Sequence, residues 1–111
     1  MRLRNSLNQA IELLQTESLE KLVLNFGCCT GNLTNHLHEL GVKVTGADVS
    51  KNFLTQLSSR YQGNKMFQAV QLNGSDLANF EDNTFDMVAT YSVLRHIPDY
   101  LAAVQEFIRV T

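Results

Sequence analysis

Tryptophan is absent, proline occurs once, and the only two cysteines stand side by side. Adjacent cysteines cannot build a disulfide framework, and neither Cys28 nor Cys29 has the C-x-x-C partner that a zinc or redox site uses. His36 and His38 are two apart on a helical pattern and face different ways, so no metal pair is expected. No apolar run approaches the ~20 residues of a membrane span. The opening stretch MRLRNSLNQAIELLQ lacks both the uninterrupted apolar segment and the cleavage site of a secretory leader. These absences point to a reduced, cytoplasmic protein without a membrane partner. Nine basic residues against eleven acidic ones leave a net charge of −2, which argues against a nucleic-acid partner, since that needs a basic surface. With no Pro-rich, Ser/Gly-rich or repeated tract, the 111 residues read as one folded unit, or a piece of one.

Within that unit, helical and strand patterns alternate. Leu7, Ala10, Ile11 and Leu14 have helical spacing over Ser6 to Gln15, with Asn5 or Ser6 as cap. Leu22 to Phe26 is a short apolar run ending at Gly27, the profile of a buried parallel strand. Asn32 to Leu40 reads as a helix closed by Gly41, and Val42 to Ala47 as a second strand ending in Asp48. Ser50 caps a helix with Phe53, Leu54 and Leu57 inward, Met66 to Leu72 is a third strand, and Phe85 to Tyr91 a fourth. Pro98 and Asp99 open a last helix with Leu101, Val104, Phe107 and Ile108 on one face. The third connection shows no clear helix. The predicted fold is α/β, a Rossmann-like open parallel sheet of about four strands with helices on both faces.

The informative stretch is VLNFGCCTGNLTNHLHELGVKVTGADVS, from Val23 to Ser50. A strand runs into Gly27-Cys28-Cys29-Thr30-Gly31 and then into a helix, which aims backbone N–H groups beyond the strand's carboxyl end. Asp48 follows about 20 residues on, where a carboxylate can accept hydrogen bonds from a ribose diol. Together they suggest an adenosine-containing ligand. The dinucleotide pattern G-x-G-x-x-G fails at Cys29 and Asn32, and no Gly-Lys-Ser/Thr follows, so pyrophosphate and P-loop readings are poorly supported.

At these residues the chain resembles the class I S-adenosylmethionine-dependent methyltransferases, in particular the small-molecule group with a DxGCGTG-type first motif. Gly46-Ala47-Asp48-Val49-Ser50 is similar to that family's G-x-D-x-S, and Asn73 to Leu77 falls where it places an acid or amide near the adenine amino group. Phe80 to Val88 resembles F-x-D-x-x-F-D-x-V, Ser92 to Asp99 resembles V-L-x-H-x-P-D, and Glu106 to Val110 resembles E-x-x-R-V. The likeness covers roughly residues 20 to 110, a motif-bearing core preceded by a leading helix and connection over 1–19. It implies S-adenosyl-L-methionine as cofactor and methyl transfer to a small-molecule acceptor. The implied cofactor-binding residues are Asn25, Gly27, Cys29, Gly31, Asp48, Val49, Asp76, Leu77, Tyr91 and Ser92, the last two nearest the transferable methyl.

Two residues depart from the family pattern. Asn25 replaces the usual acid, and Cys29 replaces the middle glycine, where a Cβ at positive φ adds roughly 1–2 kcal/mol of strain. Both departures point to weaker cofactor binding. No catalytic residue is evident; His96 is the one candidate base, with a structural role at the start of the last helix as the alternative. Asp76 reads equally well as a turn residue. The sequence ends before the family's Lys-Pro-Gly-Gly-like turn, so a seven-strand fold would stop after four, leaving the fourth strand open to pair with a second copy or another chain. Such a chain reads as a methyltransferase-like cofactor-binding domain or, alternatively, as a truncated, inactive module acting through a partner at that edge. A nicotinamide-dependent oxidoreductase fits less well, because Cys29 breaks its fingerprint.

Overall fold

A computed structural model describes residues 21–90 and 99–111. The expected leading helix over 6–15, together with Tyr91, Ser92, His96 and Pro98, lies outside the described residues. Four parallel strands form one sheet: β1 (Leu22–Phe26), β2 (Lys43–Asp48), β3 (Phe67–Gln71) and β4 (Met87–Ala89), in the order β3-β2-β1-β4. Helices α1 (Asn32–Glu39) and α2 (Lys51–Arg60) cross from β1 to β2 and from β2 to β3, and α3 (Tyr100–Val110) follows β4. The link from β3 to β4 contains no helix, as the sequence pattern suggested.

Alternation along β1 sorts the core into two layers. Val23 points to the side of α1, where it meets Leu37, Val42, Val44 and Ala89. Its neighbour Leu24 points to the opposite side and packs with Ala47, Leu77, Phe85 and Val110 of α3. Leu54 and Leu57 of α2 cover the outer part of the first layer with Cys28, against Phe67 and Ala69 of β3. Helices therefore cover both faces of the sheet, which is why β1 is apolar almost without interruption.

Two sequence expectations shift. The fourth strand starts at Met87 rather than Phe85: Phe85 bonds to α3, and Asp86 meets Leu22 at the start of β1 with its side chain as well as its N–H. The Phe85 N–H donates to the Val110 carbonyl (2.9 Å), and the Asp86 carboxylate accepts the Leu22 N–H (2.8 Å). On α3, Phe107 meets Phe26 edge-on (ring centroids 4.9 Å apart) and Val110 is buried, whereas Leu101 and Ile108 are 62% and 70% exposed. The helix carries two apolar stripes, and the one through Phe107 and Val110 faces the sheet.

The chain moves outward from β1 to β2 and β3, then returns to the other side of β1 as β4. The strand order thus reverses between β1 and β4. In open α/β sheets, the crevice outside the carboxyl ends at such a point is where ligands bind.

Candidate functional site

The turn leaving β1 is tied to the end of β2. The N–H groups of Gly27 and Cys28 both donate to the Ala47 carbonyl, at 2.8 and 3.1 Å. The Cys29 N–H donates to one oxygen of the Asp48 carboxylate (3.0 Å), and the Ser50 N–H to the other (2.9 Å). Asp48 is only 7% exposed, and the two bonds fix the plane of its carboxylate. Each oxygen retains a second lone pair, so the group can still accept from a pair of neighbouring hydroxyls.

The turn achieves its shape with left-handed backbone at Gly27 (φ 70°), Cys29 (φ 48°) and Gly31 (φ 93°). The strain expected at Cys29 is therefore present. At Gly31 the demand for glycine is also steric: a Cβ there would lie 2.4 Å from Leu57 Cδ2 and 2.8 Å from Arg60 Nη1. Gly46 answers to packing as well, since its Cβ would come within 2.9 Å of the Phe67 ring.

Cys28 and Cys29 do different things. Cys28 is buried beside Leu54 and Leu57, and burial, followed by the Asp48 and Cys29 charges, pushes its thiol from an ordinary 9.0 up to about 12. Cys29 is exposed; partial desolvation, then the charge of Asp48 and a hydrogen bond to it, raise its pKa too. Both thiols therefore stay protonated at neutral pH, and neither is an activated nucleophile.

Asn25 sits at the carboxyl end of β1, 1% exposed, opposite Gly46 on one side and Ala89 on the other. Its Nδ2 donates to the Thr34 hydroxyl of α1, while Oδ1 has no partner among the described residues. Flipping the amide would only transfer the deficit to its nitrogen. The Thr90 hydroxyl, one residue beyond β4, is likewise buried without a partner among the described residues. Two unsatisfied polar atoms thus flank the point where the strand order reverses. Because such groups cost about 1–3 kcal/mol each, they mark a place where a ligand can supply what the chain does not. Thr34 and Thr90 escaped the sequence reading; the signal for Thr34 was its position three residues after Gly31, on the same helical face as the inward Leu37.

Val49, next to Asp48, is 56% exposed, and its Cγ1 lies 3.7 Å from the Cβ position of Gly74 in the loop after β3. An apolar side chain left open beside a polar loop offers one wall for a flat ring. In that loop the Asn73 carbonyl oxygen Oδ1 accepts from the N–H groups of Ser75 and Asp76, and its Nδ2 donates to Asp76 Oδ1. The Asp76 Oδ1 also accepts from the Ala78 N–H (3.0 Å). These bonds, the Asn73 amide first, hold the Asp76 carboxyl below its usual range. Asp76 therefore shapes the turn with one oxygen and is exposed at the surface with the other. Leu77 is buried in the core against Phe85 and Val110, so only its backbone can meet a ligand.

A strand-order reversal, a left-handed turn joined to an acidic residue at the end of the second strand, and an open apolar position beside that acid define an open-sheet domain of Rossmann type with its crevice at the carboxyl ends of the strands. The chain belongs to the methyltransferase domain family, whose model matches residues 24–111. The cofactor of this family is S-adenosyl-L-methionine. The chain is 33% identical over 90 residues to a demethylmenaquinone methyltransferase of Bacillus licheniformis, covering 78% of this chain and 38% of that protein. It is 38% identical over 69 residues to the corresponding Bacillus cereus protein, covering 61% of this chain and 29% of that one. Among solved structures, the YcgJ protein of Bacillus subtilis superposes with a TM-score of 0.72 at 26% identity, over 88% of this chain and 43% of that one. A putative methyltransferase of Bacillus halodurans superposes at 0.71 with 24% identity, over 90% and 45% of the two chains. The chain therefore spans less than half the length of these relatives.

Proposed function

We propose that this chain binds S-adenosyl-L-methionine in the crevice outside β1, β2 and β4 and forms the cofactor side of a methyl transfer. One observation carries the reading: the Asp48 carboxylate, oriented by the Cys29 and Ser50 N–H groups, is preset to receive a ribose diol. Val49 and the Asn73–Leu77 loop border the purine, with Asp76 toward its amino group. Asn25 Oδ1 receives the ammonium of the methionine end, the donor its burial lacks. When bound, the sulfonium supplies the methyl electrophile. The work of the chain is to position that group and exclude water, which asks for no catalytic triad.

By sequence, Tyr91 and Ser92 follow Thr90 just beyond β4 and are assigned to the neighbourhood of the methyl, with His96 as candidate base. A small-molecule acceptor is the class that the names of the two curated relatives support. Among the described residues no helix is long and apolar enough to cross a membrane; a cytoplasmic setting is proposed with the reading.

Calorimetric titration with S-adenosylmethionine and S-adenosylhomocysteine tests it. Saturable heat is expected; a folded chain giving none at millimolar ligand refutes it. An Asn25→Asp, Cys29→Gly double variant should bind roughly tenfold more tightly, because a charge-assisted bond replaces a neutral one. Before ligand is added, Asn25→Asp alone should lower stability by about 1–3 kcal/mol, since the buried carboxylate has only the Thr34 hydroxyl beside it.

A second reading is favoured by one feature. β4 ends the strand order, and among the described residues only β1 pairs with it. An edge of this kind can accept another strand, so a partner module or homodimer joined there is the alternative. A strictly monomeric species in sedimentation at high concentration counts against it.

A further inference from the structure

The segment Glu106 to Val110 takes no part in the crevice described above, yet Arg109 within it makes the densest polar cluster among the described residues. Its Nη2 donates to the Leu77 carbonyl (2.8 Å), and its Nη1 donates to the Phe80 carbonyl (2.9 Å) and to Asp82 Oδ1 (2.8 Å). Nε and Nη2 both donate to Glu106 Oε2, at 2.9 and 2.6 Å. A guanidinium has five N–H groups, and these bonds occupy all five. Glu106 and Asp82 also balance its charge. Arg109 is thus committed inward, with no donor left for a ligand.

What it holds is the loop after β3. That loop leaves the sheet at Leu72, whose N–H donates to the Asp48 carbonyl (2.9 Å), and makes its own turn through Asn73, Asp76 and Ala78. Beyond the turn, Asn79 Nδ2 donates back to the Gln71 carbonyl of β3 (3.4 Å) and Leu77 packs against Ala47 of β2, while most of the backbone fastening is to the end of α3. The Asn83 N–H donates to the Arg109 carbonyl (2.9 Å), and those of Thr84 and Phe85 donate to the Val110 carbonyl, at 2.7 and 2.9 Å. The Leu77 carbonyl lies one residue from Asp76, so the guanidinium sets where the Asp76–Leu77 edge of the crevice stands relative to Asp48 and Val49.

We propose that Arg109 is the positioning residue for the purine end of the site: without touching the cofactor, it fixes the loop that reads the purine amino group. This rests on the cofactor assignment made above. A point charge such as lysine can replace one of these bonds but not the fork that grips two carbonyls together.

The test uses the full chain and two probes, S-adenosylhomocysteine and its inosine analogue, in which an oxo group replaces the purine amino group. Each is titrated calorimetrically into the wild type, Arg109→Lys, Arg109→Gln and a control, Val42→Ala, which weakens the core on the α1 side. The wild type is expected to prefer the amino purine. In both Arg109 variants that preference should fall roughly tenfold, the worth of one charge-assisted hydrogen bond, while Val42→Ala keeps it whatever its stability. Amide exchange at Ala78 and Phe80 should quicken in the Arg109 variants and stay unchanged at β1, a readout that needs no ligand and that Arg109→Lys supplies if Arg109→Gln does not fold. An unchanged preference in a folded Arg109 variant overturns the inference alone. A wild type that binds both probes equally overturns it through Asp76. A wild type that binds neither overturns the cofactor assignment and this inference with it, before any variant is compared.

Discussion

Cys29 is the one residue in the glycine turn whose side chain works against its backbone, and its replacement by glycine gives a stability change of calculable sign. At φ 48° an L-residue carries about 1–2 kcal/mol of left-handed strain that glycine does not. Against this, glycine enlarges the unfolded ensemble and costs about 0.4–1 kcal/mol. The difference, about 0.8 kcal/mol in favour of glycine, is best read against Cys29→Ala, which keeps the Cβ and drops the thiol. The alanine variant keeps the strained Cβ and gives up only the thiol, so it should lie at or slightly below the wild type, while Cys29→Gly should lie at or above it. For a domain of this size the gap between the two variants corresponds to roughly 2–5 °C in melting temperature. Thermal melts followed by circular dichroism, checked by urea titration, measure it. An alanine variant as stable as the glycine variant refutes the strain argument, because it shows that the turn relaxes around a Cβ at no cost.

Gly31→Ala should be far more damaging than its size suggests, by about 2–4 kcal/mol, since it adds left-handed strain to an overlap with Leu57 and Arg60. In a double-mutant cycle with Leu57→Ala, the two changes should couple favourably by at least about 1 kcal/mol; strict additivity would show that the contact with α2 is not what forbids a side chain there. The buried thiol of Cys28 gives a prediction in pH. Its folded pKa is raised, so its contribution is complete below the ordinary 9.0 and is lost as pH climbs from there toward about 12, because the unfolded thiol ionises first. The melting temperature should therefore decline through that alkaline range, and Cys28→Ala should flatten the decline even though it lowers stability at neutral pH. A decline of equal slope in the variant would assign it to Cys29 and Tyr61, whose pKa values are also raised.

β1 and β2 were legible because burial on both faces of the sheet forces short apolar runs, closed here by Gly27 and Asp48, whereas the edge strand β3 shows only a weak alternation matching its half-exposed pattern. What the pattern could not settle were choices made by distant partners. Phe85 looks like strand, yet its backbone N–H goes to Val110 of α3, and a linear reading has no access to that pairing. On α3 the pattern puts Leu101, Val104, Phe107 and Ile108 on one face, whereas the contacts of Phe107 with Phe26 and of Val110 with Leu24 and Ala47 turn the helix so that Leu101 and Ile108 face outward. The fivefold commitment of Arg109 was hidden for the same reason: its two carbonyl partners, Leu77 and Phe80, have no side-chain signature at all.

The residues of the glycine turn also divide in a way that motif matching conceals. Gly31 and Gly46 would be required with no ligand in view, because Leu57, Arg60 and Phe67 occupy the space a Cβ needs. Their presence speaks for the fold and adds little to the case for a cofactor. Asn25 Oδ1, the Thr90 hydroxyl and the exposed Val49 are of the other kind: each costs the folded chain something that its own packing does not recover. All three belong to the carboxyl ends of the strands around the reversal of strand order. A fold selected for stability alone would have an apolar residue at position 25 and a polar one at 49. These uncompensated positions, with Asp48 between them, therefore mark the ligand crevice more strongly than the glycines of the turn do.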